Sequence, residues 1–231
     1  MKLLGLIGGT SYHSTIVYYK MINEMVGQEI GAQGNPPLLL YSMNIELMRS
    51  QDVDKINTEY LNIARKLETA GAEAIIICAN TPHMVYEYVQ PKIDIPILHI
   101  ADAIGKEAKR HGLNKLGLLG NKPTMTRGFI PKILNDHYHI DTLIPEEHCL
   151  SQAHDYVSKE LTQGVFSEKA KNFFLTQMDL LKKRGADGII LGCTELPMLI
   201  DQGDYELPLI STTDLHIQMA VDFILGNLKT P

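Results

Sequence analysis

Short apolar runs alternate with longer stretches of helical periodicity along this chain of 231 residues. Continuous apolar runs, such as AIII at 74–77 and GIIL at 188–191, are typical of parallel strands that are covered on both faces. The residues predicted to form strands are 2–7, 38–44, 74–79, 95–100, 115–119, 139–144, 188–192 and 207–211. The predicted helices are 13–27, 53–70, 124–136, 151–184 with a break near Gly164, and about 213–228. This alternation indicates an α/β fold built from doubly wound parallel sheets.

Three segments recur in the same order in the two halves of the chain. KLLGLIGG (2–9) resembles NKLGLLGN (114–121), GAEAIIICANTPH (71–83) resembles GADGIILGCTELP (185–197), and IPILHIAD (95–102) resembles LPLISTTD (207–214). Three matches at nearly one offset indicate a duplicated unit. We therefore predict two pseudo-symmetric α/β domains, 1–100 together with 207–231 and 101–206, and expect the active site in the cleft between them.

Composition narrows the possible functions. Hydrophobic residues make up 45% of the chain, which is enough to bury a core without disulfides or metal. The net charge of −6 and the lack of a basic run argue against nucleic-acid binding, and no apolar run is long enough to span a membrane. The three cysteines, 78, 149 and 193, form no CxxC pair and no zinc-like cluster with histidines. Free thiols and a cytoplasmic location are therefore expected.

Four polar loops follow predicted strands, namely GGTS (8–11), ANTPH (79–83), GNKPT (120–124) and CTELP (193–197). Ligands bind beyond the carboxyl ends of such strands. Cys193 would precede a helix there, whose amides lower a thiol pKa and so favour a nucleophile or a proton-transfer base. The alternative for Cys193 is a small buried hydrophobe.

Short polar side chains in these loops have two interpretations. They either cap helices or bind a small anion such as an amino acid. The candidates are Thr10, Asn80, Thr81 and Thr124. His83 is expected to face solvent at a helix start, and Cys149 is expected to be structural.

The LIGGTS, NTPH (80–83) and GCTE (192–195) segments together resemble the aspartate/glutamate racemase family, whose members use no pyridoxal phosphate. The resemblance implies a homodimer, no cofactor, and proton transfer by two cysteines on opposite faces of a small acidic amino acid. It matches Cys193 to the second cysteine. It matches Asn80, Thr81, Thr124 and Thr194 to substrate-binding positions, and Glu195 fits aspartate racemases better than glutamate racemases.

One position departs from the family pattern. The first cysteine of the family stands directly before Asn-Thr, where this chain has Ala79. Cys78 is adjacent, but strand neighbours point to opposite faces, so Cys78 is expected to face the core. Cys193 would then be the one base, and water, Cys78 or another group would supply the second proton.

Several alternatives stay open at this point. A protein with one working cysteine could be a decarboxylase or isomerase of small diacids, or a silent amino-acid-binding protein. The substrate could be aspartate or glutamate. A side-chain carboxylate calls for a cation, and the candidates are Arg49, Lys122, Arg127 and Lys169.

Overall fold

The structure, a computed structural model, describes residues 1–228 and divides into two compact units. The first unit comprises Met1–His99 and, within the described residues, 216–228, and the second comprises Ile100–Leu215. Residues 207–215 were expected in the first domain, yet they lie in the second unit because their strand pairs with a strand of that unit. The end of the expected range, 229–231, lies outside the described residues.

The first unit contains a four-stranded parallel sheet flanked by helices, with strand order β2-β1-β3-β4. Its elements are β1 (Leu4–Gly8), α1 (Tyr12–Ile30), β2 (Leu38–Ser42), α2 (Glu46–Arg49), α3 (Val53–Thr69), β3 (Ala74–Ile77), α4 (Tyr86–Val89) and β4 (Ile97–Leu98). Strands β1 and β3 are buried along their whole length, as central strands of a covered sheet must be.

The second unit repeats this arrangement with strand order β6-β5-β7-β8. Its elements are α5 (Ile100–Arg110), β5 (Lys115–Leu119), α6 (Lys122–Thr126), α7 (Phe129–Tyr138), β6 (Asp141–Leu143), α8 (Glu147–Asp155), α9 (Glu168–Lys183), β7 (Gly188–Leu191), α10 (Leu196–Leu199) and β8 (Leu209–Ser211). A last helix, α11 (Thr212–Ile224), begins in the second unit and continues into the first. The predicted α/β fold with two parallel sheets is confirmed.

The two sheets also share one register. Ile7 lies opposite Ile77 in the first unit, and Leu119 lies opposite Leu191 in the second. These are the same positions of the sequence repeat, so the duplication seen in the sequence extends to the pairing of individual residues.

A glycine joins helix to strand at the same point in each unit. Gly71 follows α3 with φ of +97°, and Gly185 follows α9 with φ of +96°. A side chain is strained at such angles, whereas glycine adopts them readily. Each glycine therefore ends its helix and turns the chain into the central strand.

The prediction differs from the structure most at residues 95–110. The predicted strand at 95–100 is reduced to Ile97–Leu98, and α5 begins at Ile100. The apolar residues that follow Leu98 belong to the buried face of this helix, so strand and helix merge into one apolar run. No helix within residues 1–228 is both long and apolar enough to cross a membrane.

Candidate active site

The loop after β1 presents one hydroxyl and uses another as a cap. Ser11 caps α1, because its Oγ accepts the backbone N–H of Ser14 at 3.3 Å. Thr10 is half-buried, and its Oγ1 lies 2.9 Å from the phenolic oxygen of Tyr60 on α3. Burial raises the pKa of Tyr60, so this phenol stays protonated at neutral pH. Thr10 is thus held at the strand end by a buried partner that sequence reasoning missed, because Tyr60 looks like an ordinary core residue of an amphipathic helix.

The chain turns sharply where β3 ends. The N–H of Ala79 donates to the carbonyl of Ile77 at 2.8 Å, and the N–H of Cys78 donates to Ile7 O at 2.9 Å. Cys78 is buried, and burial raises the pKa of its thiol. Ala79 is half-buried instead, so the two neighbours differ in their access to solvent.

Asn80 is polar, buried and incompletely bonded. Its side chain is 6% exposed, and its Oδ1 has no hydrogen-bond partner. It does not cap the short 3₁₀ helix Thr81–Val85 that follows, although capping was one of its two predicted roles. A buried carbonyl oxygen without a donor costs about 1–3 kcal/mol. The loop therefore carries an acceptor that a ligand donor could satisfy, beside the half-buried Thr81.

His83 is fully buried, and the expectation that it faces solvent is wrong. Its Nδ1 lies 2.9 Å from the carbonyl oxygen of Ala79 and 3.1 Å from that of Asn80. Burial lowers the pKa of His83 to about 4, although neighbouring backbone carbonyls act in the opposite direction. A neutral imidazole thus lies directly behind the Ala79–Asn80 turn.

Cys193 follows β7 in the second unit and is 6% exposed. Its Sγ accepts the backbone N–H of Leu196, at the start of α10, at 3.3 Å. Burial raises the pKa of the Cys193 thiol, and the Glu195 carboxylate raises it further, while the N–H groups of Leu196 and Glu195 lower it. The expected net lowering of this pKa is therefore wrong, because desolvation outweighs the amides of a four-residue helix.

Close backbone packing fixes the point at which Cys193 leaves the sheet. Gly192 donates its N–H to Leu119 O at 2.7 Å, and a Cβ on Gly192 would lie only 2.6 Å from the same oxygen. Thr124 is fully buried, and its methyl group would lie 3.3 Å from that Cβ. Asn121 caps α6 by accepting the N–H of Thr124 at 2.9 Å. Thr124 is thus held against the loop that carries Cys193.

The strand register relates the two strand-end loops directly. Ala79 stands two residues after Ile77, and Cys193 stands two residues after Leu191. Ile77 and Leu191 occupy the same place in their sheets. Ala79 is therefore the structural counterpart of Cys193. That the loops of both units share one cleft stays a prediction.

The four candidate cations differ in their surroundings. Arg49, at the end of α2, pairs with Glu46 at 3.0 Å. Lys122, at the start of α6, pairs with Glu147 at 3.2 Å. The other two candidates are exposed: Arg127 and Lys169.

A further cation, Lys55, lines an open groove at the carboxyl end of β2, a position that sequence reasoning missed. The groove has a volume of about 660 Å³ and is also lined by Ser42 and Asn44. Lys55 pairs with Asp52 at 3.0 Å. Its position on the first turn of a predicted helix was the available signal in the sequence.

Comparison with known proteins gives these loops a chemical context. The model of the Asp/Glu/Hydantoin racemase family matches residues 7–220. The chain belongs to this family.

Three relatives illustrate the breadth of this racemase family. The broad specificity amino-acid racemase RacX of Bacillus subtilis is 26% identical over 216 residues, which cover 91% of this chain and 93% of RacX. A crystal structure of a Yersinia pestis protein assigned to the Asp/Glu racemases is 35% identical with a TM-score of 0.91, covering 97% of this chain and 100% of the other. An aspartate racemase homologue from Pyrococcus horikoshii is 32% identical with a TM-score of 0.83 over the same shares. The similarity to this family of racemases, which are isomerases, thus extends over nearly the whole chain.

Proposed function

We propose that the protein is a cofactor-independent amino-acid racemase that acts on aspartate, glutamate or both, with Cys193 as the proton-transfer group. The observation that carries the proposal is the position of Cys193, a thiol at the carboxyl end of a parallel strand in a chain of the racemase family. The names of the relatives, an amino-acid racemase and an aspartate racemase homologue, support this substrate class.

Substrate binding would use the polar groups of the strand-end loops. The unsatisfied Oδ1 of Asn80 can accept a hydrogen bond, so it suits the α-ammonium group rather than a carboxylate. The hydroxyl groups proposed to hold the carboxylates belong to Thr10, Thr81, Thr124 and Thr194. Their hydrogen bonds would stabilise the charge that develops on the carboxylate when the α-proton leaves.

The protonation state of Cys193 defines the proposed mechanism. Its raised pKa makes the neutral thiol the resting form. A nearby substrate ammonium would lower that pKa and favour the thiolate, which then removes the α-proton. Return of a proton from Cys193 gives back the same enantiomer, whereas a proton delivered to the opposite face inverts the centre.

The opposite face is where this chain differs from a two-cysteine enzyme. The side chain of Ala79 has no exchangeable proton, and the thiol of Cys78 is buried with a raised pKa. We therefore propose that water supplies the second proton. On this basis α-proton exchange is faster than inversion.

Exchange into deuterated water tests the proposal. The α-proton signals of L- and D-aspartate and glutamate are followed by NMR, and a chiral assay measures inversion in parallel. Cys193→Ala should abolish exchange, since it removes the proposed base. Cys149→Ala is the matched control, because it also deletes a buried thiol of the second unit but lies on α8. Exchange that survives in Cys193→Ala would show that another group is the base.

A second candidate follows from Ala79. A single thiol that protonates one face suits a decarboxylase or isomerase of small diacids. Release of CO₂ or a shifted double bond from a diacid, without α-proton exchange of amino acids, would favour this candidate. Tight amino-acid binding with neither reaction would indicate a binding protein.

The resemblance to the family also leads us to propose a homodimer located in the cytoplasm. The three free cysteines are consistent with a reducing compartment. Sedimentation equilibrium of the purified chain tests the dimer.

A further inference from the structure

Three histidines from distant parts of the sequence pack together inside the first unit. The ring of His83 lies 4.7 Å from that of His99 and 5.1 Å from that of His216, both in edge-to-face arrangement. All three side chains are at most 1% exposed. Within residues 1–228, no group of three His, Cys, Asp or Glu side chains is placed to hold a metal ion, so the cluster is not a metal site.

His216 forms the fixed side of this cluster. Its Nε2 lies 2.7 Å from Leu98 O, and its Nδ1 lies 2.9 Å from the hydroxyl of Tyr18. A carbonyl oxygen only accepts, so Nε2 carries the proton and Nδ1 accepts from Tyr18. The ring is therefore held from both sides, by α1 and by β4.

His83 forms the side that reaches the loop. Its Nδ1 faces the carbonyl oxygens of Ala79 and Asn80, so Nδ1 carries the proton and donates to both. Asn80 O also accepts the backbone N–H of His83 at 3.1 Å. Asn80 O therefore keeps a backbone donor without the imidazole, so loss of the imidazole affects mainly Ala79 O. Ala79 is the residue that is the counterpart of Cys193.

We propose that His83 is a positioning residue that holds the Ala79–Asn80 turn so that the Asn80 amide is presented to the substrate. The inference rests on the proposed function for its consequence in catalysis, but not for the structural role. His216, held by Tyr18 and Leu98, provides the surface against which the His83 ring is packed. The neutral state of His83 at physiological pH agrees with this role.

A pair of variants of similar size tests the hydrogen bond. In His83→Asn, the side-chain amide nitrogen stands as many bonds from the backbone as Nδ1 does and can still donate. His83→Leu has nearly the same size without a donor, and both variants lose the aromatic packing of the imidazole. Both variants should unfold at a lower temperature than the wild type, and thermal unfolding checks that both are folded at the assay temperature.

Activity should separate the two variants. We expect His83→Asn to keep kcat/KM within about threefold of the wild-type value. His83→Leu should lose about 10- to 100-fold in kcat/KM, as for a group displaced by a fraction of an ångström. The loss should lie mainly in KM, because Asn80 is proposed to bind the ammonium group. Equal kcat/KM values in the two variants would overturn the inference.

A second readout does not depend on activity. Amide hydrogen exchange at Ala79, whose N–H donates to Ile77 O, should be at least about tenfold faster in His83→Leu than in His83→Asn, since the turn has lost its side-chain donor. If the wild-type protein shows no α-proton exchange with any amino acid, the proposed function fails and this measurement decides the role of His83 alone. Equal amide exchange in the two variants refutes that role.

Discussion

Replacing Gly192 by alanine should disturb both the fold and the site. The new Cβ would lie 2.6 Å from Leu119 O, 3.1 Å from Leu118 Cδ1 and 3.3 Å from Thr124 Cγ2. The first of these contacts is with backbone and cannot be relieved by a side-chain rotation. Strands β5 and β7 must therefore separate at the point where Cys193 leaves the sheet.

The cost of this separation can be estimated from the contacts. Forcing a methyl group into a packed core costs about 1–3 kcal/mol. Stretching the buried hydrogen bond from Gly192 N–H to Leu119 O costs about 1 kcal/mol more. Together about 2–4 kcal/mol is expected, which corresponds to a fall in Tm of about 5–15 °C for a chain of this size.

Thermal unfolding and α-proton exchange are the two assays. Exchange, measured well below the unfolding transition, should fall at least about tenfold, because Cys193 is displaced with its neighbour. Gly185→Ala is the matched control in the same unit. It introduces a methyl group at a φ of +96° with no atom closer than 3.8 Å, so it should lower Tm and leave exchange unchanged.

Two results would contradict the expected effect of Gly192→Ala. A Gly192→Ala protein that unfolds within about 1 °C of the wild type has relaxed the contact at no cost. Loss of exchange in both glycine variants would mean that general destabilisation, rather than displacement of Cys193, reduces the activity.

Three further predictions concern Ala79, Cys78 and His83 in the first unit. Ala79→Cys should raise the rate of inversion about 10²- to 10⁴-fold, as expected for an added general acid or base, and a chiral assay measures that rate. An unchanged rate would show that residue 79 does not lie at the second face of the substrate. Cys78→Ala should leave α-proton exchange within about twofold of wild type, because its thiol is buried and protonated; a complete loss would instead identify Cys78 as catalytic. The lowered pKa of His83, about 4 against about 6.5 when unfolded, means that the unfolded chain binds the proton first, so about 3 kcal/mol of stability present above pH 6.5 is lost as the pH falls toward 4. The buried His216, whose pKa is also lowered, adds to this loss. Urea unfolding at pH 7, 5 and 4 measures this loss of stability. If His83→Asn leaves the pH dependence of the unfolding free energy unaltered, His83 is not its source.

The strands could be predicted from the sequence, whereas some of the helices could not. Each of the eight predicted strands corresponds to a strand of the structure, because short apolar runs in a covered parallel sheet have few other interpretations. Helix α5 was missed because its buried face continues the apolar run of β4. The short helices α2, α4 and α10 are too brief to show a period.

The positions of the loops of the site could be predicted from the sequence, but the burial and pKa shifts of their side chains could not. The internal repeat already aligned Ala79 with Cys193, and the strand register gives the same pairing. The net rise in the Cys193 pKa depends on burial, which a local sequence does not reveal. His83 was placed in solvent because its ring partners, His99 and His216, lie 16 and 133 residues further along the chain. Only the tertiary fold brings them together.

Thermodynamics limits the kinetic effect that the asymmetry between Ala79 and Cys193 can have. Two enantiomers in water have equal free energies, so the equilibrium constant for their interconversion is unity whatever catalyses it. The Haldane relation then requires kcat/KM to be the same for the L- and D-forms, even in an enzyme with a thiol on one side only. Unequal faces can appear only as values of kcat and KM that differ between the two enantiomers by the same factor in the same direction, and an enzyme of this kind could set the speed at which a pool racemises but never its final composition.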